Sequence, residues 1–343
     1  MKKLISSIKD FLIHDWMHVL MGIAVVFAMV SSYMSRSAIV ADADVEATKA
    51  IIKQMADNPE PTVGMMWLSL AFFLFFMSGL FLIFRYVWLR LQGKELIQPA
   101  ADTFHAFWTL RDVIKTIIVV LFLGIVASYV LVWAVRSFGM NPSLPIWSLL
   151  HTGLIDLFML LAIYYCVVIK YKGSRHELGF AKIEPGKDLT LGASGYLAFL
   201  PILLGIMLVL KFVLDLFQYE PEPHELITIL LKGDLAPWMV AVSLVLACVV
   251  APVMEEIFFR GFCYPAFRSR FGILWAMILS SVFFALLHQN VAAFVPIFFL
   301  GMLLAFFYEK RRTLTSSIVI HVIHNSLTLG YFFILQESLK KAG

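Results

Sequence analysis

Glu255, Glu256 and Arg260 lie in A-P-V-M-E-E-I-F-F-R-G-F at 251–262, a stretch otherwise apolar enough to sit in lipid. An ionisable side chain there costs roughly 3 kcal/mol or more unless it has a partner, a wet cavity or a reaction to serve. Positions 256 and 260 share a helix face, so an ion pair between Glu256 and Arg260 is the simplest use of the arginine. Glu255 is then left without its own cation. Two further polar groups follow. F-F-A-L-L-H places Phe284 and His288 one turn apart at the end of an apolar helix, and H-V-I-H-N places His321 and Asn325 on one face of the last helix. Singly, each has a structural use, such as a histidine bonded to a backbone carbonyl or a polar contact between helices.

Together they are hydrolase equipment. A carboxylate and an imidazole converging in a semi-dry cavity can orient and deprotonate one water, which makes Glu255 and His288 the candidate pair. A second imidazole and a carboxamide, His321 and Asn325, supply donors for the oxyanion formed when water attacks a peptide carbonyl. Glu256, Arg260 and Phe284 are read as supporting residues. No G-x-S-x-G elbow occurs and no cysteine shares a polar cluster, so covalent catalysis has no evident nucleophile. Glu255, His288 and His321 could instead hold a divalent metal such as zinc. The absence of H-E-x-x-H puts metal-free water activation, with no cofactor, ahead of that alternative.

These residues need helices in lipid to carry them. The chain has 343 residues, 61% hydrophobic and 15% charged, against about 25% charged in a soluble domain. Apolar runs near 17–34, 63–88, 116–135, 146–169, 193–217, 237–258, 272–288, 291–308 and 314–335 lack period-2 alternation. The expected fold is all-α, a polytopic bundle of about eight to nine spans with the polar site in the last four. The lysines Lys2, Lys3 and Lys9 before the first run could mark a secretory signal ending near Ala38, but a retained span is preferred because many more follow. Of the 27 Lys and Arg, 19 fall on the side of the N-terminus and seven on the other. Positive-inside bias therefore puts the N-terminus in the cytoplasm. The acidic stretches 42–61 and 220–234 fall outside. Cys166, Cys248 and Cys263 have no C-x-x-C spacing, which leaves disulfides and thiolate zinc unindicated. The net charge of +4 is small and scattered, so nucleic acid is not an expected partner.

A depth argument links the clusters. If the chain reverses near Phe271 and the flanking helices run antiparallel, Glu255 and His288 lie at one level and could face each other. Nine full crossings would instead strand His288 far from His321, and the polar clustering is given precedence over hydropathy boundaries. The polar loop 170–188 divides an N-terminal membrane region, 1–190, from a domain at 191–343.

E-E-x-x-x-R at 255–260, F-x-x-x-H at 284–288 and H-x-x-x-N at 321–325, in that order on late helices, resemble the three motifs of the CAAX-protease and bacteriocin-processing family, also called the Abi family. It includes the Ras-converting prenyl endopeptidases. The resemblance covers roughly 235–335. It implies an intramembrane endopeptidase in which Glu255 activates water, His288 shares that water, Glu256 and Arg260 order their helix, and His321 with Asn325 serve the oxyanion. The implied partners are a peptide or lipidated protein substrate and membrane lipids, with the site reached from the cytoplasmic side. The family has been labelled metalloprotease, so zinc stays open. The competing reading is a transporter or peptide-sequestering scaffold, for which Pro252 and Pro296 interrupt helices suitably, though no inverted pair of broken segments occurs. Lys211 with Asp215 is expected to be a structural ion pair. His151 with Asp156, and His14 with His18, are expected to be interfacial groups, and His324 either supports His321 or faces another helix.

Overall fold

The computed structural model describes residues 15–36, 49–50, 63–94, 106–140, 145–180, 184–219 and 236–342. Lys2, Lys3, Lys9, His14, the stretch 220–234, most of 42–61, and the side chains of Lys340 and Lys341 lie outside the described residues. The helices are α1 (Trp16–Arg36), α2 (Val63–Leu91), α3 (Leu110–Ser137), α4 (Pro145–Tyr164), α5 (Pro185–Leu216), α6 (Pro237–Val245), α7 (Ala251–Glu256), α8 (Tyr264–Leu286), α9 (Val291–Arg311) and α10 (Leu314–Ala342). Wider π-helical turns occur at Tyr165–Lys170, Leu246–Val250 and Ile257–Cys263. Among the described residues the only strand-like pairing is an isolated bridge between Phe180 and Thr313. The fold is an all-α polytopic membrane bundle.

Among the described residues six helices are long and apolar enough to cross a membrane, fewer than the nine runs in the sequence. The runs at 237–258 and 272–288 fall within one helical stretch, Pro237–Leu286, which is interrupted at Gly272; the first run is represented by a shorter apolar stretch, Trp16–Met29; and α10 is less apolar than the other long helices.

The chain divides into two compact units, Met1–Ala41 with Phe107–Ser174, and Asp42–Ala106 with Arg175–Gly343. In the first, α3 packs against α1 and α4. Asp112 closes the start of α3 by accepting from the amide and hydroxyl of Thr109, both at 2.8 Å. His151 on α4 meets the Gly124 carbonyl of α3 at 2.9 Å, a structural use.

In the second unit α5 packs against α2, α9 and α10. Pro201 inside α5 has no N–H to give the Leu197 carbonyl four residues back. Gly79 of α2 approaches that point so closely that a Cβ would sit 2.2 Å from the Leu197 oxygen. Only glycine lets the two backbones meet there. Lys211 and Asp215 form the expected exposed pair at 2.9 Å.

The stretch Pro237–Leu286 is not straight. Gly272 adopts φ 80°, ψ 176°, a region open essentially to glycine alone, and the chain folds back at this residue. Phe259 on one arm meets Phe283 and Phe284 on the other, at ring separations of 5.4 and 5.0 Å. The reversal expected near Phe271 is therefore one residue on, and its arms are antiparallel. The returning arm from Ile273 to Leu286 is ~21 Å long, short of the ~30 Å hydrocarbon layer. His288 is thus not carried to the far face.

Ionic contacts fix the ends of these helices. Arg268 of α8 grips Glu309 of α9 through Nε and Nη2 at 2.9 and 3.1 Å, and the Tyr264 hydroxyl donates to the same carboxylate at 2.8 Å. Arg311 donates at 3.0 Å to Asp188, which is fully buried at the start of α5. Asp188 also accepts from Ser316 of α10.

Candidate active site

Glu255 and Glu256 end α7, between two π-helical turns. Such widened turns leave backbone groups outside the regular ladder and recur at functional sites. At the first, the N–H of Ala251 reaches back five residues to the Leu246 carbonyl. In that register the Ala247 carbonyl faces residue 252, which is Pro252 and has no N–H. Asn325 of α10 supplies the missing donor, its Nδ2 lying 2.9 Å from the Ala247 oxygen.

Glu256 and Arg260 form the ion pair read from their spacing, Nη1 to Oε1 at 2.7 Å, with both side chains fully buried. Arg260 also donates to the Gly301 carbonyl of α9 at 3.1 Å, and its guanidinium lies 4.6 Å from the Phe284 ring centroid. Glu256 Oε2 and Arg260 Nε are buried without hydrogen-bond partners.

His321 enters from α10 between the two glutamates. Its Nδ1 is 3.2 Å from Glu256 Oε1 and its Nε2 is 3.6 Å from Glu255 Oε2. Whichever tautomer is present, one ring N–H points at a carboxylate. The Glu255 side chain is 32% exposed, whereas those of His321 and Glu256 are 3% and 0% exposed. The site is thus one water-accessible carboxylate against a dry, paired charge cluster.

Phe284 joins the remaining histidine to this group. Its ring stands edge-on to His321 at 5.5 Å and to His288 at 4.9 Å. His288 Nδ1 is 2.8 Å from the Phe284 carbonyl, which fixes its tautomer and leaves Nε2 for a ligand. No hydrogen bond or ion pair joins Glu255 to His288, so the expected facing pair is not in direct contact. Glu255 meets His321 instead. The link between Glu256 and His321 lies outside what the motifs display, because 65 residues separate them. His324 turns away from His321, its Nδ1 lying 3.3 Å from the Tyr196 hydroxyl of α5.

Among the described residues no three His, Cys, Asp or Glu side chains are grouped to hold one metal ion. Both nitrogens of His321 are turned to glutamates rather than to a point shared with His288. Glu255, His288 and His321 do not form a ligand set in this arrangement.

Residues 237–327 match the family model for type II CAAX prenyl endopeptidase Rce1-like proteins. This segment is similar to the type II CAAX prenyl endopeptidases. Similar curated proteins include the membrane-embedded CAAX protease MroQ of Staphylococcus aureus (strain USA300), 26% identical over 132 residues, which are 36% of this chain and 50% of that protein. The putative membrane peptidase YdiL of Bacillus subtilis (strain 168) is 24% identical over 90 residues, 26% of this chain and 37% of its own. The UPF0177 protein YaiF of Lactococcus lactis subsp. lactis (strain IL1403) is 30% identical over 83 residues, covering 23% of this chain and 35% of that protein. The chain thus spans half or less of the length of these relatives. No solved structure matches it. The matched segment contains all seven site residues from Glu255 to Asn325, whereas Tyr196 lies before it.

Proposed function

We propose that this chain is an intramembrane endopeptidase that hydrolyses a peptide bond in a membrane-associated peptide or lipidated protein. The reading rests on one observation: a one-third-exposed Glu255 beside His321, which is itself held by the buried Glu256–Arg260 pair. A base must reach water, and the groups orienting it must be rigid and dry.

In the proposed reaction Glu255 takes a proton from a water that His288 helps to orient, as the water oxygen adds to the scissile carbonyl carbon. The carbonyl oxygen becomes an oxyanion and accepts from His321 and Asn325. Asn325 has two amide protons, one of them committed to Ala247, so the other is the available donor. Glu255 then returns its proton to the leaving nitrogen as the C–N bond breaks, giving a carboxylic acid and an amine, which exchange a proton and leave as carboxylate and ammonium. Water is activated without a metal, the chemistry belongs to 191–343, and the N-terminus and the entrance to the site are cytoplasmic.

Purified Glu255→Gln protein is expected to lose about 10²- to 10⁴-fold in cleavage rate, the usual worth of a general base, with helical content unchanged. Comparing membranes that hold wild-type or variant protein by peptide mass spectrometry identifies the substrate. A released C-terminal tripeptide marks CAAX-type processing, and full activity in the variant refutes the assignment of Glu255.

A further inference from the structure

A cleft of about 500 Å³ lies in the unit formed by α1, α3 and α4, and the proposed reaction makes no use of it. Its walls change character along their length. His18, Asp112, Lys115 and Lys170 line one end, while the rest is mostly apolar, with Val119, Leu123, Phe158 and Leu161 among its walls. Lys170 is the last residue of one membrane-spanning helix, and Lys115 lies near the start of its antiparallel neighbour. The polar end therefore sits at the depth of lipid headgroups, and the cleft runs ~12 to 18 Å from it into the hydrocarbon.

Most of the hydrogen-bonding capacity left open at that end is donor capacity, although Asp15 Oδ2 is also buried without a hydrogen-bond partner. Asp112 already accepts from Thr109, from the Tyr171 hydroxyl at 2.8 Å and from Lys170. Asp15 is paired with Arg111 at 2.7 Å and with Lys115. An ammonium carries three donors, so Lys115 and Lys170 each retain some after these contacts. Three cations, Arg111, Lys115 and Lys170, stand against two carboxylates. His18 Nδ1 is buried without a hydrogen-bond partner.

We propose that this cleft binds a phospholipid with an anionic headgroup, its phosphate held by Lys115 and Lys170 and one acyl chain lying along α3 and α4. A free phosphate would satisfy the cations but leave the apolar shaft unfilled. Basic pockets between membrane helices at the interface suit such headgroups, and each lysine near an anionic surface is worth about fivefold in binding.

The test uses the full chain in detergent, exchanged with equal amounts of phosphatidylglycerol and phosphatidylcholine and read by native mass spectrometry. Phosphatidylglycerol is expected to be retained preferentially, and Lys115→Gln to reduce that preference about fivefold. Ala162→Trp fills the shaft without touching an ion pair and is expected to abolish retention while circular dichroism stays unchanged. This second variant decides the matter if Lys115→Gln does not fold. Equal retention of the two lipids by the wild type, or retention unchanged in the folded variants, overturns the proposal. So does full displacement of the lipid by equimolar inorganic phosphate, which would assign the site to a free anion.

Discussion

Burying Glu256 with Arg260 removes two charges from water, and each depends on the other to offset that loss. Arg260→Met leaves a lone carboxylate in a dry site and is expected to lower stability by about 3 to 5 kcal/mol, read as a fall in unfolding temperature. Replacing both partners, Glu256→Met with Arg260→Leu, should recover much of that loss but not cleavage, because His321 then has no carboxylate at Nδ1. A further expectation concerns metal. Cleavage should survive exhaustive chelation, and zinc that is lost and regained together with activity would show a bound ion in its place. At this scale the sequence was legible where contacts are local. The Glu256–Arg260 pair follows from four-residue spacing, but the placing of His321 between two glutamates depends on how α10 meets α7. Asn325 was readable as a donor, while its engagement with Ala247 required knowing that the helix before Pro252 widens.

The hairpin at Gly272 sets the register between Phe259 and Phe284, and hence the position of the ring against which both histidines rest. A Cβ at Gly272 would meet nothing within 4 Å, so the obstacle to alanine is backbone conformation rather than crowding. Gly272→Ala is expected to cost about 1 to 3 kcal/mol and to lower cleavage with Glu255 intact. Unchanged unfolding temperature and unchanged rate in this variant would separate the hairpin from the site. The antiparallel return was foreseeable from the polar residues Glu255 and His288, nearly equidistant in sequence from Phe271. Its glycine was not singled out, since an isolated Gly among apolar residues reads equally well as a packing contact within one helix. The Pro201 and Gly79 pairing was hidden for a related reason, because α2 and α5 are distant in sequence and only their packing shows that one vacancy meets the other.

Composition establishes a membrane protein, since 61% hydrophobic residues cannot be covered by a soluble surface, and apolar runs without period-2 alternation make it helical. Hydropathy does not settle which apolar runs are crossings, because it measures content rather than direction, and Gly272 turns one run back on another. The short returning arm then bears on the solvent around the protein. Its ~21 Å leaves ~9 Å of acyl-chain length without a matching helix beside the site. Lipids there must tilt, compress or give way to water, at fractions of a kcal/mol per Å. Catalytic rate should therefore depend on bilayer thickness, rising in short-chain phosphatidylcholine vesicles and falling in long-chain ones at constant headgroup charge. A chain with the proposed activity would in effect read the thickness of its membrane, with a dent in the bilayer as part of the site.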